Sequence, residues 1–270
     1  MSIADHIGSE SLRGEFMRSF DEYSTAYQSV RMSRQDGVLE VEFHTQGGSM
    51  IWGALPHREL PDAFGAIAGD RENRIVILTG AGTEFCSARD ESLSKTRDSP
   101  LGFDVIYWEG KKLLEALLSI EVPVIAAVNG PARYHAELAV LSDIVLASST
   151  ALFQDKPHFP SGVVPGDGVQ FVWQSLLGVN RGRYFLLTGQ EIAAEEALRL
   201  GVVSEVLTPE ALLPRARELA KQLSANSDLT LRYTRVALVQ HLRRQVLLDL
   251  GYGLALEGLA LMREPDGGQR

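Results

Sequence analysis

"RIVILTGAGTEFC", residues 74 to 86, runs an uninterrupted apolar stretch into a glycine turn. An apolar run of this length without polar alternation marks a strand covered on both faces, as in a parallel sheet whose connections are helices. The segment before it, "PHRELPDAFGAIAGD" (56–70), carries apolar residues at helical spacing. The unit then recurs: "FDVIYWEGKKLLEALLSI" (103–120) predicts an amphipathic helix stopped by Pro123, and "EVPVIAAVNG" (121–130) a second buried strand closed by a glycine turn. Helices alternating with buried strands define an α/β chain with helical crossovers between parallel strands.

The rest of the sequence fits around that repeat. "SVRMSRQDGVLEVEFHT" (29–45) predicts a hairpin about Asp36 and Gly37, with Leu39, Val41 and Phe43 facing inward and Glu40 and Glu42 outward. "AELAVLSD" (136–143) resumes a helix and "IVLASSTALFQD" (144–155) reads as a strand pair. Short helices over 168–177 and 193–200 alternate with loops, "VVSEVLTP" is a late strand, and from Pro209 the chain is nearly all helical. The expected division is a loosely held arm over 1–25, an α/β core over 26–208 and a helical region over 209–270.

With 270 residues, 45% hydrophobic and 23% charged, the chain is too apolar for disorder and long enough for one substantial core. Its formal charge of -9 and lack of Lys/Arg runs argue against a nucleic acid partner. The single cysteine, Cys86, allows no internal disulfide and points to a reducing compartment. No stretch approaches the roughly 18 apolar residues of a membrane span, and "MSIADHIGSESLRGEF" lacks a signal core, so a cytoplasmic protein without a membrane partner is expected.

Chemistry concentrates in "FQDKPHFPSGVVPGDG" (153–168), which sets His158 and Asp167 in one Pro/Gly loop. An imidazole takes a proton from water near neutral pH, and a carboxylate on its other nitrogen fixes the tautomer and stabilises the imidazolium. The plain alternatives are that Asp167 caps the following helix and that His158 is a structural loop residue. No nucleophile elbow surrounds Ser161, and nothing activates Cys86 as a thiolate. Glu257 is the only charged residue between Asp249 and Arg263, so a helix burying that stretch takes a carboxylate inside, where its pKa rises. The other reading gives that helix a narrow exposed edge.

"RIVILTGAGTEFC", "VPVIAAVNGPA", "ELAVLSDIVLAS", "ALF" and "PSGVVPGDG" resemble, in order and spacing, the crotonase (enoyl-CoA hydratase/isomerase) superfamily over about residues 30 to 210. The resemblance implies a spiral of strand-strand-helix turns and C-terminal helices that assemble a homotrimer or a dimer of trimers. Members of this family commonly hold an acyl-CoA thioester under two backbone N–H groups, for which glycine gives close approach. The present loops depart from that pattern: "FCSARDES" has Ala88 where a glycine is usual, and "RYHAEL" has His135 in place of a glycine run. His158 stands at the position of a hydratase glutamate, and Asp167 replaces a small residue.

"SMIW", "HAE", "SDIVLA", "NRGRYFLLTGQE" and "LALEGLAL" extend the resemblance to the β-diketone hydrolases of that superfamily, the 6-oxocamphor hydrolase group. That resemblance implies hydrolysis of a carbon-carbon bond in a cyclic 1,3-diketone, a small-molecule substrate, by retro-Claisen cleavage to a keto acid, with no cofactor and no metal. It implies that His158 and Asp167 activate water while His135, Trp52 and Glu257 surround the diketone. Glu137 is a further candidate whose direction the shortened loop leaves open. Tyr107, Trp108 and Phe159 are expected to complete a bulky apolar pocket. Two other functions stay open at this point: a CoA-dependent hydratase or isomerase, and a catalytically silent scaffold.

Overall fold

The computed structural model describes residues 18–93 and 99–262. Six strands, β1 (Val30–Gln35), β2 (Val38–Phe43), β4 (Ile75–Gly80), β6 (Val124–Val128), β7 (Ile144–Ser148) and β10 (Glu205–Leu207), form one sheet in the order β1-β2-β4-β6-β7-β10. β1 and β2 are an antiparallel hairpin, and every later neighbour is parallel. Asp36 and Gly37 take φ 51° and 78°, the pair of left-handed residues that a two-residue hairpin turn demands.

Alternation sorts the strands between two cores. Val76, Leu78, Val124, Ala126 and Val128 join the larger core with the helices Ala54–Gly69 and Pro100–Ser119. Ile75, Ile77, Ile125, Ala127 and Leu146 point to the opposite face, where Leu212, Ala216 and Ala220 of the helix Pro209–Leu223 cover them at four-residue spacing. The apolar run of residues 75–78 is therefore continuous because both faces of the sheet are dry.

A second ladder of short strands explains the spiral. β3 (Ile51–Trp52) pairs in parallel with β5 (Ala88–Arg89), Cys86 bridges Ala132, Ala132 bridges Phe153, and β8 (Leu152–Phe153) meets β9 (Ile192–Ala193) antiparallel. Each turn of the chain lays one long strand in the first sheet and one short strand in the second. The residues just after successive short strands consequently converge at one edge. This is the expected crotonase-like α/β spiral with a helical C-terminal region.

Some elements differ from expectation. Residues 18–25 are not a loose arm: Tyr23 is fully buried and donates to Asp70 at 2.8 Å, and Arg18 pairs with Asp62 at 2.7 Å. The earlier part of that arm lies outside the described residues. A helix, Val179–Thr188, occupies a stretch read as loop. Its packing requires Gly182, where a Cβ would come within 2.6 Å of the Gln174 backbone. The long C-terminal helix is three pieces, Asp228–Gln245, a π turn at Val246–Leu250 and Gly251–Leu261. Arg235, fully buried, ties the first piece to Asp143 at 2.6 Å and to the Ile120 carbonyl. No helix among the described residues is long and apolar enough to cross a membrane.

Candidate active site

The converging ends of the short strands enclose a cavity. Trp52 follows from β3, Arg89 from β5, His135 from the Ala132 bridge and His158 from β8, while Asp167, His57 and Glu257 reach it from neighbouring segments. Ile106 and Leu113 of the helix Pro100–Ser119, Leu254 of the last helix and Val163 supply apolar wall.

His158 lies between two carboxylates. Its Nδ1 is 2.6 Å from Asp155 Oδ1, three residues earlier, and its Nε2 is 3.4 Å from Asp167 Oδ2. Asp155 therefore holds the ring from behind, the part the sequence reading had given to Asp167. Burial alone would lower the imidazole's proton affinity, but Asp167 and Asp155 outweigh it and hold the pKa well above its ordinary value. Burial would raise Asp167, but His158 keeps that carboxyl far below the usual range. Asp167 Oδ1 is buried with no hydrogen-bond partner among the described residues. Asp167 is not the side-chain cap of the next helix; Gly168 occupies that position at φ 114°.

His135 takes φ 50°, a left-handed conformation that suits glycine. The backbone thus keeps the shape of a glycine position while adding a side chain. Its Nδ1 is 2.6 Å from Glu137 Oε1 and 3.9 Å from Asp167 Oδ2. Burial works against a charged imidazole here, but Glu137 reverses the balance and raises the pKa. Glu137 itself is pushed up by its burial. The Trp52 ring stacks on His135 with centroids 3.7 Å apart, an arrangement that favours an imidazolium.

Two further groups line or back the cavity without having been singled out in the sequence. His57 meets the Trp52 ring edge-on at 6.0 Å and its Nδ1 is 2.7 Å from Glu109 Oε2, both partners buried. The available signal was Glu109 itself, a carboxylate on the apolar stripe Ile106–Leu113 of its helix. Asp155 had a local signal, an acid three residues before the histidine. Glu257 lines the cavity as expected, although its helix is not wholly buried: Tyr252 and Leu259 are exposed.

Trp108 and Phe159 are not where the sequence reading put them. Trp108 is 60% exposed on the outer side of its helix and Phe159 is 52% exposed in a short 3-10 turn, and neither lines the cavity. Tyr107 packs beside Gly251 instead. Cys86 is buried, which pushes its thiol pKa up, away from thiolate chemistry. His135, Glu137 and Asp167 offer ligand-type atoms within 4.8 Å of one another, a spacing that could hold a metal ion, although His135 Nδ1 is already bonded to Glu137.

The chain matches the family model for enoyl-CoA hydratase/isomerase over residues 35–251. It is 34% identical to a short-chain-enoyl-CoA hydratase of Clostridium acetobutylicum over 207 residues, 75% of this chain and 76% of that protein. A carnitinyl-CoA dehydratase of Salmonella arizonae is 34% identical over 205 residues, 75% and 77% of the two chains. Among solved structures, a β-diketone hydrolase of the cyanobacterium Anabaena, bound to (S)-3-oxocyclohexyl acetic acid, is 50% identical with TM-score 0.87, covering 89% of this chain and 96% of its own. An enoyl-CoA hydratase/isomerase from Mycobacterium paratuberculosis superposes with TM-score 0.81 at 26% identity, over 88% and 95% of the chains. A ladder of short strands delivering its side chains to one buried cavity, a histidine at a glycine-shaped corner and these likenesses converge on one conclusion: the chain belongs to the crotonase (enoyl-CoA hydratase/isomerase) superfamily.

Proposed function

We propose that this crotonase hydrolyses a carbon-carbon bond of a cyclic 1,3-diketone by retro-Claisen cleavage. The observation that carries the reading is His158, braced by Asp155 and facing Asp167 at 3.4 Å inside the cavity. A hydratase glutamate is thereby replaced by an imidazole suited to taking a proton from water. The 50% identity to a protein described as a β-diketone hydrolase supports the same reading.

The steps balance as follows. Neutral His158 takes one proton from water as the oxygen bonds to one carbonyl carbon, whose π pair moves onto its own oxygen. The tetrahedral species re-forms that C=O and breaks the C–C bond, and the electron pair delocalises into the second ketone as an enolate. His135, protonated with the support of Glu137, and the indole N–H of Trp52, which lines the cavity, donate to the enolate oxygen. His158 then returns its proton to the α-carbon. The net change is diketone plus water to keto acid, with no redox step. Each donor to such an oxyanion contributes on the order of 3 kcal/mol, about 100-fold in rate.

The competing reading is acyl-CoA chemistry, favoured by the similarity to a short-chain-enoyl-CoA hydratase and a carnitinyl-CoA dehydratase. Against it stands His135, whose side chain occupies a corner that a thioester cradle needs open. Exposed apolar residues on the outer helices, Leu101, Val105, Trp108, Leu247 and Leu259 among them, support assembly into a trimer or a dimer of trimers. Purified protein is to be incubated with a bicyclic 1,3-diketone and, separately, with crotonyl-CoA. Loss of the diketone with keto acid formation, and no change in crotonyl-CoA, is expected. Turnover of crotonyl-CoA alone would reverse the assignment, and silence toward both would leave a scaffold.

A further inference from the structure

We infer that Arg89 forms a carboxylate subsite at the cavity, which takes the acid group of the ring-opened product. The inference rests on the diketone reading for the identity of the product, and on the structure for the site.

Arg89 is paired in register with Trp52 across β3 and β5, so the two side chains leave the ladder on one face. Trp52 lies in the cavity, and Arg89 lines it too. Arg89 is partly buried, and no hydrogen bond or ion pair joins its guanidinium to another described residue. Other arginines near carboxylates are engaged, such as Arg133 on Glu191 and Arg34 on Asp70. A guanidinium left open beside a cavity is a ready fork for a planar anion.

The reaction creates such an anion where none existed. The diketone is neutral, and its polar contacts are with the imidazoles and Trp52. After the bond breaks, the new acid is on a freely rotating arm and ionises at neutral pH. Asp167, a carboxylate held in its charged form, and Glu257 are on the wall, and Asp90, beside Arg89, accepts from the Ser92 N–H and hydroxyl. The charges of His158 and His135 are matched by Asp155, Asp167 and Glu137, so Arg89, the one arginine or lysine lining this cavity, is the cation there with no carboxylate partner among the described residues. Arg89 therefore distinguishes product from substrate, and governs product release and inhibition more than the bond-breaking step.

The test uses (S)-3-oxocyclohexylacetic acid and its methyl ester as probes, titrated calorimetrically into the wild type, Arg89→Gln and Arg89→Lys, with diketone turnover measured in parallel. The acid is expected to bind Arg89→Gln at least about tenfold more weakly, about 1.4 kcal/mol. Arg89→Lys should recover part of that loss, the ester should bind all three alike, and the diketone KM should change less than about threefold, because a neutral ligand gains no charge-assisted bond there. Equal binding of the acid to wild type and Arg89→Gln overturns the subsite even if diketones are hydrolysed. Arg89-dependent binding of the acid without diketone turnover in the wild type upholds the subsite and removes the proposed reaction instead.

Discussion

At position 135 an imidazole sits on a backbone at φ 50°, where a side chain costs about 1–2 kcal/mol relative to glycine. The contact with Glu137 at 2.6 Å offsets that cost and does something glycine cannot. If Nδ1 is committed to Glu137, the other nitrogen donates to an enolate only when the ring is protonated, and Glu137 favours that form. Glu137→Gln keeps the size and a hydrogen-bond acceptor but removes the charge. Turnover is expected to fall about 100-fold with KM little altered, the signature of an interaction made in the transition state. Steady-state kinetics on a diketone read this, and unchanged turnover would detach His135 from the chemistry. His135, His158 and Asp167 were legible in the sequence because each breaks a motif register. Asp155 and Glu109 were visible as acids near a histidine or on an apolar stripe, but their roles were not, because those depend on which nitrogen they face, and spacing does not encode that.

The last helix is seated by a backbone contact. A Cβ on Gly253 would come within 2.3 Å of the Gly166 carbonyl, and one on Gly166 within 2.2 Å of the Gly253 carbonyl. The loop carrying Asp167 and the helix carrying Leu254 and Glu257 thus touch directly, just after the π turn at Val246–Leu250. π turns recur at functional sites because the extra residue re-aims the face that follows. Gly253→Ala is expected to destabilise the protein by about 1–3 kcal/mol through overpacking and to lower turnover as well. Thermal unfolding together with kinetics checks this; an unmoved melting temperature would show that the helix is not held there. The π turn was invisible in the sequence, since every residue of 246–250 suits an α-helix. The misplacement of Trp108 has a similar origin. Leu101, Val105 and Trp108 make a second apolar stripe at helical spacing, and periodicity cannot say which stripe faces the cavity. The buried strands and the hairpin were legible because their patterns depend on local alternation and on a two-residue turn.

Across the whole molecule, the carboxylates of Asp155, Asp167 and Glu137 surround two imidazoles in a protein of formal charge -9. This arrangement couples stability to activity. A histidine whose folded pKa is raised contributes stability that is fully present below its unfolded value near 6.5 and is lost as pH rises through the folded value. The neutral His158 that activates water is populated over that same rise, so turnover should climb while the histidine's contribution to stability falls. The most direct measurement is kcat/KM for a bicyclic 1,3-diketone as a function of pH, in the wild type and in Asp167→Asn. In the wild type the acid limb is predicted to fall above pH 6.5. In Asp167→Asn, which loses the largest source of the upward shift, the limb of the residual activity is predicted to move to lower pH. A wild-type limb at or below 6.5, or one that Asp167→Asn leaves in place, would contradict the assignment of His158 as the base that Asp167 tunes.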